Sequence, residues 1–265
     1  MNHRPRKRFG QNFLHDRTVI ERIHSAIAAH PGEALAEIGP GQGAITEGLL
    51  QAAGALDAIE FDRDLVGPLQ ERLAPLGDLR VHQADALSFD FCQLVTPPQR
   101  LRLVGNLPYN ISTPILFHVL ERADCIDDMH FMLQREVVER MAAPPGSKTY
   151  GRLSVMLQVH CQVTPLFDIR PGAFHPPPKV DSAFVRLTPY RPARFAIADP
   201  ALFARLVANA FAQRRKTLRN ALRQDVTEAQ FSAAGIDPGL RAEVLSPQQF
   251  VELAEIVATA SPDAP

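Results

Sequence analysis

Cysteine is scarce in this sequence. Three cysteines in 265 residues, at positions 92, 125 and 161, are too few and too widely spaced for a disulfide framework or a CxxC zinc site. The nine histidines form no HExxH motif and no other closely spaced ligand set. We therefore expect reduced thiols, a cytoplasmic protein and no metal cofactor.

Long apolar runs are also absent, although 46% of the residues are hydrophobic. No uninterrupted run reaches the length of a membrane helix, so we expect no membrane association. The N-terminus is basic and has no apolar stretch behind it, which argues against a signal peptide. Its arginines leave a mitochondrial transit peptide as an alternative, but the basic run leads directly into the motif Gln11-Asn12-Phe13-Leu14.

Strand-like and helix-like segments alternate along most of the chain. Short apolar runs predict strands at 35–38, 55–60, 79–82, 102–105 and 129–133. Helical patterns separate most of these runs, and a further strand is predicted at 184–187 beside the others, antiparallel to them. This alternation predicts an α/β fold with a mostly parallel sheet and helices on both faces.

The segment 188–199 contains prolines and has no regular pattern, so we place a domain boundary there. The predicted domains are residues 1–190 and residues 191–265. Beyond the boundary, apolar residues recur at helical spacing and no strand pattern is present. The second domain is therefore predicted to be all-helical, and it has too few residues to bury a large core alone.

A glycine-rich turn follows the first predicted strand, in Glu37-Ile38-Gly39-Pro40-Gly41-Gln42-Gly43-Ala44-Ile45. Such a turn lets the backbone approach a ligand and places helix-end N–H groups beside it. Glu60 ends the next strand, 17 residues after Gly43, where an acid can accept hydrogen bonds from ribose hydroxyls. Asp85, with Ala86 beside it, can accept a hydrogen bond from an adenine amino group. The pattern predicts a nucleoside-bearing cofactor.

Each of these residues also has an interpretation that involves no ligand. The turn could serve packing alone, Glu60 could be a solvated acid at a strand end, and Asp85 could be a helix cap or turn residue. NAD is the alternative ligand, but no residue pair suited to hydride transfer is evident. The pairing of the turn with Glu60 favours the cofactor interpretation.

Asn106-Leu107-Pro108-Tyr109 is the second informative motif. The Asn106 side-chain oxygen and a backbone carbonyl of Leu107-Pro108 can accept both hydrogens of an exocyclic amine, which turns the nitrogen lone pair towards a methyl donor. Proline has no N–H, so the loop offers acceptors only. Tyr109 can stack on the base. Together with the cofactor site, the motif predicts methylation of adenine N6 by S-adenosyl-L-methionine; the alternative is an ordinary surface turn.

Phe174 precedes three prolines in Phe174-His175-Pro176-Pro177-Pro178. Consecutive prolines form a stiff extended loop that can hold an aromatic ring in a fixed position. We interpret Phe174 as a second stacking wall on the opposite face of the adenine; the alternative is packing within its own domain. A base held between two rings must leave its helix or loop, which predicts base flipping.

These motifs resemble those of the bacterial ribosomal RNA adenine dimethyltransferase family, and its 16S-specific members most closely. The similar segments are Gln11–Leu14, Glu37–Gly43, Asn106–Ser112 and Phe174–Ser182. The resemblance covers essentially the whole chain and is weakest in the C-terminal domain. It implies a class I methyltransferase fold, in which residues 1–190 form the catalytic domain and residues 191–265 a helical domain for RNA binding or assembly.

The resemblance also implies the reaction and the site. It implies N6,N6-dimethylation of two adjacent adenines in a hairpin near the 3′ end of 16S rRNA, late in small-subunit assembly. By matching motifs, S-adenosyl-L-methionine contacts fall on Asn12, Leu14, Gly39, Glu60, Asp85 and Asn106, and Gly41 and Ala86 belong to the same segments. No departure from the family pattern occurs at these positions.

The charge is uneven, although the formal net charge is only −1. The stretch from Arg205 to Arg223 carries six basic residues and no acid. Within it, Arg215, Arg219 and Arg223 are spaced by four and are predicted to share a helix face, with Lys216 beside them. These four residues are the predicted RNA contacts, and a solvated helix face is the alternative. A basic run at residues 4–8 is predicted to be an arm that orders on RNA.

Two competing functions remain open. A related enzyme could methylate an adenine of large-subunit rRNA and confer antibiotic resistance. A non-catalytic assembly or transcription factor could retain the fold as a nucleic-acid-binding module. The intact glycine turn, Glu60 and Asn106-Leu107-Pro108-Tyr109 argue against loss of catalysis. Nothing in the sequence requires more than a monomer.

Overall fold

The computed structural model describes residues 11–259. The predicted basic arm at residues 4–8 lies outside this range. The strands are β1 (Phe13–Leu14), β2 (Ala34–Ile38), β3 (Ala55–Glu60), β4 (Asp78–Gln83), β5 (Leu101–Asn106), β6 (Ile126–Gln134), β7 (Cys161–Ile169), β8 (Phe174–His175) and β9 (Ser182–Pro189). The helices are α1 (Arg17–Ile27), α2 (Thr46–Ala53), α3 (Arg63–Leu73), α4 (Ser112–Leu120), α5 (Arg135–Ala142), α6 (Arg152–Gln158), α7 (Pro200–Ala212), α8 (Leu218–Ala221), α9 (Glu228–Ala233) and α10 (Pro247–Thr259).

Seven strands form one sheet in the order β4-β3-β2-β5-β6-β9-β7. The strands from β4 to β6 in this order pair in parallel, and β9 pairs with β6 antiparallel. This confirms the predicted α/β fold with a mostly parallel sheet. It also confirms the late antiparallel strand.

The central strand β2 is buried on both faces, as its apolar sequence predicts. Leu35, Ala36 and Ile38 are each almost completely inaccessible to solvent. Parallel strands covered by helices on both sides are typically such continuous apolar runs. The neighbouring strand β5 comes very close: a Cβ placed on Gly105 would lie 2.7 Å from the carbonyl oxygen of Ile38. Glycine at this position therefore permits the close approach of the two strands.

Contacts divide the chain into two compact units. The first unit comprises the described residues up to Val138 together with Thr164–Pro189, and the second comprises Glu139–Val163 together with the described residues from Tyr190 onwards. The sequence predicts a boundary at residues 190/191, whereas in the structure residues 139–163 also belong to the helical unit. The apolar residues of this segment have partners in the helical core, which sequence order does not reveal.

The second unit has its own apolar core. Phe203 and Leu206 of α7 are buried in it together with Tyr150, whose hydroxyl donates a 2.9 Å hydrogen bond to the Leu245 carbonyl. Asp199 precedes helix α7 as its N-cap, and its carboxylate accepts a hydrogen bond from the Leu202 N–H at 2.9 Å. An aspartate cap of this kind stabilises a helix by about 1 kcal/mol.

Three strands, β1, β7 and β8, were not predicted from the sequence. Strand β7 lies at one end of the sheet order, and it contains Pro165, which an edge strand tolerates because one side needs no ladder hydrogen bonds. The short strands β1 and β8 pair with each other through Phe13–His175 and Leu14–Phe174. Elements this short carry no alternation that a sequence pattern can detect.

The expectation of reduced thiols is wrong for two of the three cysteines. Cys92 and Cys125 form a disulfide, whereas Cys161 is a buried free thiol. The two half-cystines are 33 residues apart, but they precede β5 and β6, which are parallel neighbours. Loops that enter adjacent parallel strands meet at the same sheet edge, which explains a pairing that sequence spacing alone does not indicate.

No helix within residues 11–259 has both the length and the apolar character required to cross a membrane.

Candidate active site

The glycine turn after β2 adopts a conformation that a larger residue would disturb. Gly41 has a φ of +56°, and a Cβ at this position would lie 3.1 Å from the Phe13 ring. Its N–H donates a 3.1 Å hydrogen bond to Oε2 of Glu60. The turn is thereby tied to the end of the neighbouring strand β3.

Glu60 is 5% exposed, and backbone donors hold its carboxylate in place. Oε1 accepts from the Asp62 N–H at 2.7 Å, and Oε2 accepts from Gly41. Burial raises the pKa of Glu60, against the lowering effect of these N–H donors. A carboxylate offers about four lone-pair sites, so both oxygens can still accept hydrogen bonds from a ligand.

A cavity of about 280 Å³ lies at the carboxyl ends of β2, β3 and β5. The order of the sheet reverses between β2 and β5, and such a switch point is where open α/β sheets bind ligands. The cavity brings together all eight predicted cofactor residues and all but one of the predicted catalytic residues. These are Asn12, Leu14, Gly39, Gly41, Glu60, Asp85, Ala86, Asn106, Leu107, Pro108 and Tyr109.

The charge of this cavity is one-sided. Four acidic residues line it: Glu37, Glu60, Asp62 and Asp85. Among the described residues that line it there is no lysine, arginine or histidine. A cavity with this lining favours a ligand that carries positive charge and disfavours one that carries phosphate groups.

Asn106 ends β5 and is oriented by the N-terminal segment. Its Nδ2 donates a 3.1 Å hydrogen bond to the carbonyl of Asn12. The amide thus uses a donor within the protein and retains Oδ1 as an acceptor. The Leu107 N–H donates to the Met132 carbonyl at 3.2 Å, and the Pro108 carbonyl accepts from Ile111 at 3.1 Å. The loop is therefore anchored on both sides of Leu107.

Tyr109 is held by its hydroxyl, which lies 2.6 Å from Oγ of Ser182. Ser182 is fully buried at the start of β9. Burial raises the pKa of Tyr109, and the hydrogen bond to Ser182 opposes that rise. No sequence pattern indicates this contact, because the two residues are 73 positions apart.

Phe174 does not lie on the cavity. It is 2% exposed and packs in the core of the first unit, in a cluster that also contains Leu14, its partner in the β1–β8 pair. The described conformation thus supports the alternative of packing within its own domain. The prolines after Phe174 position the ring, but they position it in the core.

The predicted basic helix face does not exist. Helix α7 ends at Ala212 and α8 spans only Leu218–Ala221, so that Arg215 and Arg223 lie in turns. The chain breaks there because Leu218 enters the core, and its N–H donates to the Leu240 carbonyl at 2.7 Å. Helical spacing predicted one face, whereas burial of this leucine requires a turn.

Acids from other segments also reach the basic stretch. Arg205 pairs with Asp225 at 3.3 Å, Arg214 with Glu243 at 3.4 Å and Arg219 with Glu228 at 2.6 Å. Arg215, Lys216 and Arg223 are exposed and form no ion pair with the described part of the chain. Of the four predicted RNA contacts, these three are unpaired cations and Arg219 is not.

The chain matches the family described as Ribosomal RNA adenine dimethylase over residues 2–259. It belongs to that family. Among its relatives is Ribosomal RNA small subunit methyltransferase A of Pseudomonas putida, 58% identical over 97% of this chain and 96% of the relative. The protein of the same name from Nitrosococcus oceani is 55% identical over 96% of both chains. Family membership confirms the enzyme class predicted from the motifs, an rRNA adenine dimethyltransferase.

Two solved structures are similar to this chain. A dimethyladenosine transferase from Plasmodium falciparum superposes with a TM-score of 0.78 at 23% identity, covering 91% of this chain and 95% of that chain. The 23S rRNA methyltransferase ErmE superposes with a TM-score of 0.69 at 27% identity, covering 93% and 99%. The first similarity shows the fold. The second structure is that of a methyltransferase named for 23S rRNA.

Two residues of the candidate site were not predicted from the sequence. Glu37 was quoted only as part of the glycine motif, yet it is a charged residue inside an otherwise apolar buried strand, and that contrast was a usable signal. Ser182 carried no such signal, because a serine at a strand start is unremarkable until its partner is known.

Proposed function

We propose that this dimethylase transfers methyl groups from S-adenosyl-L-methionine to N6 of two adjacent adenines in a hairpin near the 3′ end of 16S rRNA, late in small-subunit assembly. The observation that carries the proposal is the position of Asn106-Leu107-Pro108-Tyr109 on the wall of an acidic cavity at the sheet switch point. Each adenine would enter this slot after flipping out of its loop or helix.

The charge of the cavity supports the choice of cofactor. S-adenosyl-L-methionine carries a sulfonium and an ammonium group but no phosphate, which suits a lining of four acids without a base. NAD carries two phosphate charges, which this lining would repel. In the proposed complex Glu60 accepts hydrogen bonds from the ribose of the cofactor, and Asp85, beside Ala86, faces its adenine. Asn12 and Leu14 border the remaining part of the cofactor.

The chain's own residues account for orientation of the substrate amine. Oδ1 of Asn106 and the Leu107 carbonyl accept its two hydrogens, and Tyr109 supports the face of the base. The N6 lone pair is delocalised into the ring, so these acceptors favour the pyramidal nitrogen that attack requires. A sulfonium is an activated electrophile, so the reaction needs no metal ion. Positioning and electrostatics then supply most of the rate enhancement.

The relatives favour the small subunit as substrate. Full-length relatives at 55–58% identity carry the name small subunit methyltransferase, whereas ErmE, named for 23S rRNA, is 27% identical. We therefore propose small-subunit rRNA as the partner, contacted in part by Arg215, Lys216 and Arg223. The enzyme is proposed to act as a cytoplasmic monomer, without membrane association.

The test is transfer of labelled methyl groups from S-adenosyl-L-methionine to ribosomal subunits that lack dimethyladenosine. Small and large subunits serve as parallel substrates, and mass spectrometry of nucleosides and RNA fragments locates the product. We expect dimethyladenosine near the 3′ end of 16S rRNA only. Label confined to large subunits would replace the proposal with the resistance-type function, and no label on either would favour a non-catalytic factor.

A further inference from the structure

Glu37 is a buried acid that the proposed reaction does not yet use. It lies near the end of β2, is 1% exposed and lines the cavity. Its neighbours along the strand, Ala36 and Ile38, are apolar and buried. A carboxylate in such surroundings is costly to maintain in its charged form, because it loses the solvation that water provides.

Residues 11–259 do not satisfy the hydrogen-bonding capacity of Glu37. Oε2 is buried and accepts no hydrogen bond from any described residue. Burial raises the pKa of Glu37 to about 7. The hydroxyl of Thr46 on α2 lowers it, although without the geometry of a hydrogen bond, and the charge of Glu60 raises it further. The free acceptor therefore belongs to a group that titrates near neutral pH.

The charged groups around Glu37 are acids. On β3, Ala58 lies opposite it and Glu60 follows two residues later; on β5, the opposite residue is Val104. The loops across the cavity contribute Asp62 and Asp85. No described residue that lines the cavity supplies a compensating positive charge.

Basic side chains on adjacent elements have other partners. His24 of α1 is 2.9 Å from the Ile45 carbonyl. Arg72 of α3 pairs with Glu47 at 3.0 Å. Arg102 of β5 pairs with acids at the opposite end of the strand from the cavity. Among residues 11–259 no cation on these elements balances Glu37, which leaves that charge for a cationic ligand to supply.

We propose that Glu37 is a proton-linked selector between methyl donor and product. It is ionised when the cationic S-adenosyl-L-methionine occupies the cavity and protonated when the cavity holds S-adenosylhomocysteine. Methyl transfer moves the methyl group to N6 and leaves its bonding electron pair on sulfur, which becomes a neutral thioether. The methylated amine loses a proton, and Glu37 then regains one from solvent. This inference rests on the proposed cofactor.

The consequence is a pH-dependent preference for donor over product. Below neutral pH, donor binding must release the proton of Glu37, so its affinity rises with pH by up to about tenfold per pH unit. The affinity for S-adenosylhomocysteine, whose sulfur is uncharged, does not rise with pH in this way. The ratio of the two dissociation constants therefore shifts towards the donor between about pH 6 and pH 8, which aids exchange of product between successive methyl transfers.

Calorimetry tests the inference directly. Binding heats at pH 6.5 in buffers of different ionisation enthalpy give the number of protons released by each ligand. The three ligands are S-adenosyl-L-methionine, S-adenosylhomocysteine and sinefungin, which carries an amine in place of the sulfonium and does not react. We expect wild type to release a proton with the two cationic ligands and not with the thioether.

The decisive variant is Glu37→Gln, which keeps the shape and removes the charge. We expect it to abolish the extra proton release and to weaken donor binding at pH 8 on the order of tenfold, with a smaller change for the product. Glu47→Gln, the same substitution on the exposed face of α2, is the matched control and should behave as wild type.

Equal proton release for donor and product in wild type would overturn the inference, and that comparison requires no variant. Unchanged release in a folded Glu37→Gln protein would also overturn it and would assign the proton to another group. If wild type binds neither the donor nor the product, the proposed cofactor fails along with the inference. If both bind without a difference in protons, only the inference fails.

Discussion

The acidic cavity of the first unit and the basic stretch of the second unit differ in how their charges are compensated. Four acids line the cavity without a basic residue among its described lining. In the basic stretch, three of the six cations pair with acids from other segments. Uncompensated charge in a buried place is costly and points to a ligand, whereas exposed ion pairs contribute little and exchange easily.

The largest predicted effect is a pH-dependent loss of stability caused by Glu37, a buried acid of the cavity. Its pKa in the folded protein, about 7, lies above the ordinary value of 4.5. The folded state therefore binds the proton more tightly than the unfolded state, and ligand-free protein loses stability as pH rises from about 4.5 to 7, on the order of 3 kcal/mol in all. Urea unfolding at pH 5 and pH 8 should show this loss reduced in Glu37→Gln. The same loss in the variant would mean that Glu37 is not its source.

Glu60→Ala should weaken cofactor binding by about 1.5–3 kcal/mol, because a charged acceptor of ribose hydrogen bonds is lost. RNA binding should remain, because the cavity and the basic stretch are separate sites. Calorimetry with sinefungin and RNA binding by filter retention measure the two effects. Glu60→Gln separates the loss of charge from collapse of the turn that Gly41 and Glu60 hold together. Cofactor affinity equal to that of wild type in both variants would refute the role of Glu60 in binding the ribose.

The cavity was the more predictable of the two regions, for a physical reason. Asn106 and Glu60 end parallel strands, and the carboxyl ends of such strands meet at one sheet edge whatever the details of packing. Helical spacing from Arg215 to Arg223 assumed a continuous helix, which burial of Leu218 interrupts. A periodic spacing of residues predicts a shared face only where the folded chain forms the helix or strand that the spacing assumes.

Contacts between distant segments were beyond sequence reasoning. Ser182 of β9 meets Tyr109 in the loop after β5, and Cys92 meets Cys125 through adjacent strand-entry loops. Phe174 was assigned to the base slot from the stiffness of the prolines that follow it. Stiffness fixes a ring in place but does not specify the direction it faces, and the ring faces the core.

The hydrogen bond between Tyr109 and Ser182 predicts a smaller effect inside the cavity. Tyr109→Phe and Ser182→Ala should each lower kcat/KM, with a rise of about 0.5–1.5 kcal/mol in the activation free energy, because each variant frees the same ring. The double variant should be no worse than either single variant, as expected for one shared interaction. Ser182→Thr should restore part of the activity, and cofactor affinity should not change. Additive losses would assign the two residues separate roles.

The smallest effects are expected in the basic stretch. Arg215→Ala and Arg223→Ala should each weaken RNA binding modestly and reduce its log–log salt slope by about 0.7–0.9, because an unpaired cation contacts phosphate. Arg219→Ala is the matched control, since Arg219 already pairs with Glu228. Its change in slope should be smaller. A larger effect of Arg219 than of both unpaired arginines would show that ion pairing in the free protein does not predict the RNA contacts.

The most direct test of the account is dimethyladenosine formation by Asn106→Ala. Undermethylated small subunits are incubated with wild type or variant at saturating S-adenosyl-L-methionine, and mass spectrometry quantifies the product at each adenine. The account predicts a loss of about 10²–10³-fold in the rate of methyl transfer, with RNA and sinefungin affinities within a fewfold of wild type. Methyl transfer at the wild-type rate would contradict the assignment of Asn106 as the residue that orients the adenine amine.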